Sequence, residues 1–392
     1  MKSILKLLPL AAICCMTSLM AQRDAISVQK DSIGVSENDE NKPPLDSIVQ
    51  DHFLMYNWES GQVTFGGSIH RTIMVVDDGL NHELFFMDSE QPPTQLRASV
   101  KNKLNDKISV FGNILIGIQS NRPFEVSQDN KNPGVAFRAI VSEIGFRHEK
   151  LGSIELGRGF TSSAVFVEVD MSGTTVGSLI TPGNLAAGMK FVDGDTNELS
   201  DRQVYNYFID TERLLLADRI RYDSKSFAGG FIAAVSAAAD SRWDASLRYF
   251  PKVGKWAFRA VLTYEQKPFG DLDSRALLGF GIRHEKSGLN LSTIASFGQT
   301  SDDRDPNAYI LKAGLTRSFT KLGKTAFSID YSRGNEATAS GEKTTSYSFF
   351  ANQTFNPINL VVYAGYRKYE VQGTALNLLP INTMTLGVFF NF

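Results

Sequence analysis

The sequence predicts an all-β fold: a closed antiparallel transmembrane β-barrel of about sixteen strands, with one long loop folded inward. Three observations support this prediction. Apolar residues recur at every second position from residue 62 onward, short connections alternate with longer ones, and the last strand runs to the final residue. A period of two is typical of strands with one apolar and one polar face. Closing such a sheet leaves no unpaired edge and satisfies every backbone group in lipid.

The N-terminus predicts an exported protein. Lys2 and Lys6 precede an apolar run over residues 7–20, so we interpret 1–21 as a signal peptide. A membrane-spanning anchor is the alternative, but the run is short for one. Cys14 and Cys15 both lie in this segment, so no disulfide is expected in the mature chain. Residues 22–61 hold eight acidic and three basic residues, and we expect a polar, flexible segment before a barrel over 62–392.

Sixteen segments show the strand-like alternation. They are 62–77, 94–104, 107–119, 135–148, 153–160, 213–224, 227–239, 242–250, 256–266, 275–285, 288–298, 308–319, 325–333, 344–355, 358–369 and 382–392. In 256–266, for example, Phe258 and Leu262 share one face, while Arg259 and Glu265 lie on the other. A soluble β-sandwich or β-solenoid is the alternative, but sandwich strands are shorter and do not need aromatic residues at the chain end.

The connections differ in length at the two ends of the predicted barrel. Those at 149–152, 251–255, 285–288 and 320–324 are short and contain Lys, whereas 78–92 and 299–307 are longer and acidic. This asymmetry predicts short periplasmic turns and long extracellular loops.

The longest connection, residues 161–212, holds too many apolar residues to remain in solvent. We expect it to fold into the lumen as a constriction loop, with Glu168 and Asp170 facing arginines of the wall. An outward lid or a latch over a neighbouring subunit is the alternative.

A barrel of this size is too wide to be filled by its own side chains and encloses water. Strand parity places eight basic residues on the inner face: Arg219, Arg221, Arg242, Arg248, Arg259, Arg283, Lys312 and Arg367. The acids on the same faces are Asp244, Glu265 and Asp330. The excess of bases predicts a lumen that prefers anions, unless ion pairs across the strands cancel the field.

Signals for catalysis are weak. Residues 322–325 resemble the end of a phosphate-binding loop, but Ser318 stands where its first Gly belongs. The five histidines show no metal-ligand spacing. We therefore expect no enzymatic activity, no cofactor, no metal and no nucleic-acid partner.

Two short motifs resemble those of a known family. Residues 152–160, GSIELGRGF, are followed by the long loop and resemble the strand before the constriction loop of general trimeric porins. Gly152, Ser153, Gly157 and Arg158 match that pattern, which implies that Arg158 lies in the pore wall. Simple parity groups Arg158 with Leu156 and Phe160 instead, so a lumen position requires a bulge or the strand end. The loop lacks the acidic turn of enteric porins and is more similar to dicarboxylate-type porins.

The C-terminus is the second motif. Thr385, Gly387, Phe390 and Phe392 resemble the signal that the barrel-assembly machinery reads. Alternation places Phe390 and Phe392 on a lipid-facing side. Together the motifs imply an outer-membrane porin of a Gram-negative bacterium, surrounded by lipid and lipopolysaccharide, forming a homotrimer and passing small hydrophilic solutes passively. The alternatives are a structural or adhesive barrel with a plugged lumen and, third, an enzyme barrel.

Overall fold

The computed structural model describes residues 54–208, 216–268, 271–302 and 304–392. The predicted signal peptide and most of the segment 22–61 lie outside these residues. Within the described ranges the chain forms the strands β1 (Leu54–Trp58), β2 (Gly61–Asp77), β3 (His82–Met87), β4 (Gln95–Lys103), β5 (Ile108–Ser120), β6 (Val135–His148), β7 (Gly152–Phe160), β8 (Lys190–Asp193), β9 (Glu198–Gln203), β10 (Leu216–Asp223), β11 (Phe231–Ala238), β12 (Trp243–Tyr249), β13 (Lys252–Val253), β14 (Trp256–Gln266), β15 (Leu272–His284), β16 (Leu289–Thr300), β17 (Asn307–Thr320), β18 (Gly323–Asn335), β19 (Lys343–Phe355), β20 (Leu360–Gln372) and β21 (Ile381–Asn391). Helical structure is limited to α1 (Val204–Phe208) and two 3-10 turns, Phe166–Val169 and Asn356–Ile358, in these ranges. No helix in the described part of the chain is long and apolar enough to cross a bilayer.

The sheet closes on itself when β21 pairs antiparallel with β2. β3 and β4 both pair with β2 and together occupy one position in the wall. β12 and β13 likewise share the edge of β14. β1 extends the sheet beside β2 beyond the end of β21, and β8 and β9 form a separate hairpin. The described strands therefore build a closed antiparallel barrel of sixteen strands, as predicted.

All sixteen predicted segments overlap observed strands, but five observed strands lie outside them: the hairpin β8–β9 in the long loop, the two-residue β13, and β1 and β3 beside β2. β1 lies inside the segment 22–61 that was expected to be flexible, so the sheet begins at Leu54 rather than at residue 62. β3 lies inside the predicted acidic loop 78–92, and the turn that joins β2 to β3 takes up only residues 78–81. In β3, Leu84 and Phe86 face outward while Phe85 and Met87 are buried. Because both faces are apolar, this short strand shows no alternation.

Burial alternates along the strands, and the outer face is apolar. In β21, Leu386, Val388 and Phe390 are exposed, whereas Thr385 and Phe389 are buried. Phe392 is exposed on the same outer side, and its backbone N–H donates to the Gly67 carbonyl at 3.0 Å. The last residue thus belongs to the closing seam, and its ring extends the apolar outer band.

The wall is not equally tall around the barrel. β7 has nine residues, β10 and β11 have eight each, and β12 has seven. By contrast, β17 has fourteen residues, and β18, β19 and β20 have thirteen each. A strand that spans a bilayer at the usual tilt needs about 9–11 residues, so one sector of the wall is short.

A tyrosine ties the two sides of the closing seam together. The Tyr363 hydroxyl of β20 lies 2.8 Å from His70 Nε2 and 2.6 Å from Thr72 Oγ1, both on β2. To reach them, the ring passes over Gly387 of β21, where a Cβ atom would overlap it. The last two strands are therefore joined to the first by side chains as well as by the sheet.

Candidate functional site

The long connection after β7 lies against the inner face of the wall. Lys312 Nζ is 2.9 Å from Asp170 Oδ2, and both side chains are fully buried. Arg367 donates to Ser178 Oγ at 2.9 Å, and the Tyr369 hydroxyl donates to the Pro182 carbonyl at 2.9 Å. These contacts hold the loop to β17 and β20 along its described part.

The first turn of the loop makes a second set of contacts. The Ser163 N–H donates to Asp244 Oδ2 at 2.7 Å, and Ser292 donates to the Val169 carbonyl at 2.7 Å. Glu168 Oε1 lies 3.7 Å from Arg248 Nη1. Burial raises the pKa of Glu168 to about 7, although the positive charges of Arg248 and nearby Arg259 oppose that shift. Glu168 thus lies beside Arg248 and Asp170 beside Lys312, whereas Arg158 faces neither of them.

Most of the predicted basic residues are paired with carboxylates. Arg219 lies 2.8 Å from both Glu143 and Glu155. Arg221 lies 2.5 Å from Asp223, which also binds Arg248. On this side of the lumen, ion pairs therefore cancel much of the electrostatic field of the basic residues, which was the alternative expectation.

The other predicted residues are placed as follows: Arg367 lies 2.9 Å from Asp330, Arg283 lies 2.8 Å from Glu285, Arg242 lies 3.9 Å from Asp240 at a turn, and the Arg259 guanidinium stacks 4.5 Å from the Phe250 ring centroid. Asp244 also accepts from Ser236.

Sequence reasoning missed several inward charges. Arg275 makes a bidentate pair with Glu265 at 2.6–2.9 Å, and both are buried. Arg275 lies on the same face as Leu277. Because it was the first residue of the predicted strand 275–285, it was not assigned to the inner face. Glu143 belongs to a strand that was not assigned faces, and Glu155 lies on the face of β7 opposite to Arg158.

Arg158 does not lie in the lumen. It pairs in register with Asp218, and its guanidinium lies 3.6 Å from the Asp218 carboxylate. Asp218 is exposed, and the neighbours of these two residues on the outer face are Leu156 and Ile220, both exposed. The parity of β7 continues through Arg158, so the inward position implied by family resemblance is wrong. Its Nε donates to the Ala139 carbonyl on the neighbouring strand at 2.8 Å.

The solvent-accessible part of the inner wall lies on β4, β5 and β6. Here Arg97, Lys101 and Arg147 face inward with partly or fully exposed side chains, unlike the buried inward residues of β10 to β20. Arg97 donates to Asn391 at 2.9 Å, which places it inside, and the Arg147 guanidinium lies 5.3 Å from the Phe111 ring centroid. Among the described residues, neither Lys101 nor Arg147 takes part in an ion pair.

A second, shorter segment also enters the lumen. Residues 88–94 leave the wall between β3 and β4, and the Pro92 carbonyl lies 2.8 Å from His70 Nδ1. Glu90 of this segment lies 2.9 Å from Arg122 and 3.5 Å from Arg138. Both segments therefore contact inward-facing residues of the wall.

Among the described residues, no group of three or more His, Cys, Asp or Glu is placed to hold a metal ion. The geometry is that of a transmembrane barrel with a polar, partly open lumen, which defines a membrane channel. The chain belongs to the family of Gram-negative porins, whose model matches residues 58–374. It is a passive channel of the outer membrane of Gram-negative bacteria.

Solved structures of porins share the fold at low sequence identity. An anion-selective porin from Comamonas acidovorans is 16% identical, with a TM-score of 0.60, covering 85% of this chain and 100% of its own. OmpF of Salmonella typhi, in complex with daunomycin, is 12% identical, with a TM-score of 0.54 and coverage of 86% and 100%. A trimer form of OmpT, an outer membrane protein of Vibrio cholerae, is 12% identical, with a TM-score of 0.55 and coverage of 85% and 100%. A comparison with curated proteins found no match.

Proposed function

We propose that this channel passes small hydrophilic solutes and prefers anions. The supporting observation is the open wall of β4 to β6, where Arg97, Lys101 and Arg147 face water. On the adjoining wall, the inward acids Glu143 of β6 and Glu155 of β7 are both engaged by Arg219. The unbalanced charge lies where solutes pass, and a ring or stripe of basic side chains favours anions. The fold likeness to a porin described as anion-selective agrees with this.

Charge reversal on the open wall tests the proposal. Lys101→Glu and Arg147→Glu should each move the reversal potential across a salt gradient toward cation preference, most strongly at low salt, where screening is weak. Arg317→Glu is the matched control, because Arg317 lies on the outer face of β17. Anion preference that persists in both wall variants would remove this part of the proposal and leave the channel itself intact.

We propose that the segment 161–212 sets the width of the channel. Its described part is anchored to the inner wall through Asp170 and Ser178. Deleting residues 172–184 should raise single-channel conductance and the uptake of larger solutes. Unchanged conductance with loss of oligomers would instead assign the loop to a subunit contact.

A homotrimer is the proposed assembly, with the short sector of the wall turned toward the other copies. Ser142, Arg158 and Asp218 lie side by side on the outer face of β6, β7 and β10. An Arg facing lipid at the midplane costs about 2–4 kcal/mol, so this polar group fits a protein neighbour better than lipid. Asp218→Cys should allow a bifunctional maleimide to link copies, whereas Leu311→Cys on the tall wall should not. Equal linking at both positions would contradict this placement.

We infer that the protein has no catalytic role, and that the barrel-assembly machinery inserts it by reading Thr385, Gly387, Phe390 and Phe392. The described part of the long loop packs against the inner wall beside β10 to β20, so we propose that solutes pass beside β4 to β6. Conductance in a planar bilayer tests this path, since a lumen closed there passes no ions.

A further inference from the structure

On the outer face of β18, β19 and β20, residues in register form rows across the three strands. The residue types in these rows change toward the end of the barrel that carries the long loops. The lowest of these rows joins Ile329, Phe349 and Tyr366 in register. The next joins Tyr331, Tyr347 and Lys368. Apolar side chains thus give way to an aromatic row, which is where the hydrocarbon ends in outer-membrane barrels.

Basic residues lie at and just above this aromatic row. Arg333 is in register with Thr345 and Glu370 in the third row, and Lys343 lies in the fourth. Arg333 and Lys343 are exposed, and neither forms an ion pair among the described residues. Lys368 Nζ lies 2.6 Å from Glu370 and 5.9 Å from the Tyr347 ring centroid. Three cations therefore share one outer patch with a single carboxylate.

The patch is confined to this sector. At the corresponding ends of the flanking strands β17 and β21, the outward residues are the neutral Asn307 and Asn382. A cation that only promoted solubility would belong on the loops, in water. These cations instead project sideways from the sheet at the level of lipid head groups. Arg333 stands two strands away from Lys368 and one row above it, which separates their Cα atoms by about 12 Å.

We propose that Arg333, Lys343 and Lys368 form a binding site for the phosphate groups of lipopolysaccharide in the outer leaflet. The loop-bearing end of such barrels faces outside the cell, so the patch meets that leaflet. Arg and Lys donate charge-assisted hydrogen bonds to phosphate oxygens, and an ammonium held by one carboxylate keeps two donors. The apolar and aromatic rows below lie beside the acyl chains. The inference rests on the outer-membrane location and not on the proposed anion preference.

The test measures lipopolysaccharide binding to the purified, delipidated full-length barrel, by native mass spectrometry or by quenching of a labelled lipid. Arg333→Gln and Lys343→Gln should each weaken binding about fivefold, as expected for the loss of one basic residue near an anionic surface. Glu370→Gln should strengthen it, because the competing carboxylate is removed. Arg317→Gln, on the outer face at the opposite end, should have no effect. Planar-bilayer conductance should stay normal in all four variants, which shows that the channel is intact.

Enzymatically dephosphorylated lipopolysaccharide supplies the second arm. It should bind the original protein at least as weakly as native lipopolysaccharide binds the Arg333 variant, because all three cations lose their phosphate partners. Equal binding of both lipids, or an equal loss in the Arg317 variant, would overturn the proposal. Inorganic phosphate that saturates the patch without any lipid would identify a simple anion site and would also overturn it.

Discussion

Replacing Lys312 by Met should loosen the long loop from the wall. The substitution keeps most of the side-chain volume but removes the ammonium that lies 2.9 Å from Asp170, with both groups fully buried. Removing one partner of a buried ion pair costs about 3–5 kcal/mol, because the other charge remains buried without compensation. The Ser178 carbonyl loses the same donor.

That cost acts mainly on the equilibrium between the docked and the released loop. About 3 kcal/mol changes such a ratio roughly a hundredfold, since about 1.4 kcal/mol corresponds to a factor of ten. Other anchors, among them Arg367 with Ser178 and Tyr369 with Pro182, still favour the docked state. We therefore expect frequent excursions to other conductance levels in single-channel recordings, rather than a permanently wider channel.

The double variant Lys312→Met with Asp170→Asn separates the ion pair from packing. It leaves no uncompensated charge, so its recordings should be much quieter than those of Lys312→Met alone. Recordings of Lys312→Met that match the original protein would refute the reasoning. Equal noise in the single and double variants would show that shape, and not charge, holds the loop.

Three further predictions concern other parts of the molecule. Burial raises the pKa of Glu168 from 4.5 to about 7, so the folded protein binds this proton more tightly than the unfolded chain does. The stability of the fold should therefore fall as pH rises through this window. Glu168→Gln should reduce the difference between the unfolding midpoints at pH 5 and pH 8. Deleting Phe392 should lower the amount of barrel inserted in cells far more than it lowers the unfolding midpoint of barrels that have assembled, and normal levels in the membrane would contradict its role in assembly. An epitope inserted after Asp302 should bind antibody on intact cells, whereas one at Lys252 should do so only after permeabilisation; the reverse result would mean an inverted barrel.

The strands could be predicted because lipid and lumen impose opposite requirements on alternate residues. That requirement fails where both faces are apolar, as in β3, since Phe85 and Met87 face the inner segments while Leu84 and Phe86 face lipid. β1 was missed because five residues are too few to establish a period beside a polar segment.

Alternation could predict which charged residues face the lumen, but not which residues they pair with. Parity placed Arg219 and Arg367 inward, yet the neutralisation of Arg219 depends on Glu143 and Glu155, on strands two and one positions away in the wall. Such pairs depend on register, which alternation alone does not determine. For Arg158, the alternation of β7 predicted the correct outer face, whereas the resemblance to the porin motif predicted the wrong inner one.

The seam bridged by Tyr363 affects how the C-terminal motif can be studied. Gly387 is at once a position of the motif and the residue over which that ring passes between β20 and β2. A larger residue there would disturb closure even if recognition by the assembly machinery were unchanged. Loss of insertion on changing Gly387 therefore has two origins that a single substitution cannot tell apart. Pairing it with a smaller residue at 363 relieves the steric overlap, and the 363 variant alone measures what the lost contacts with His70 and Thr72 contribute.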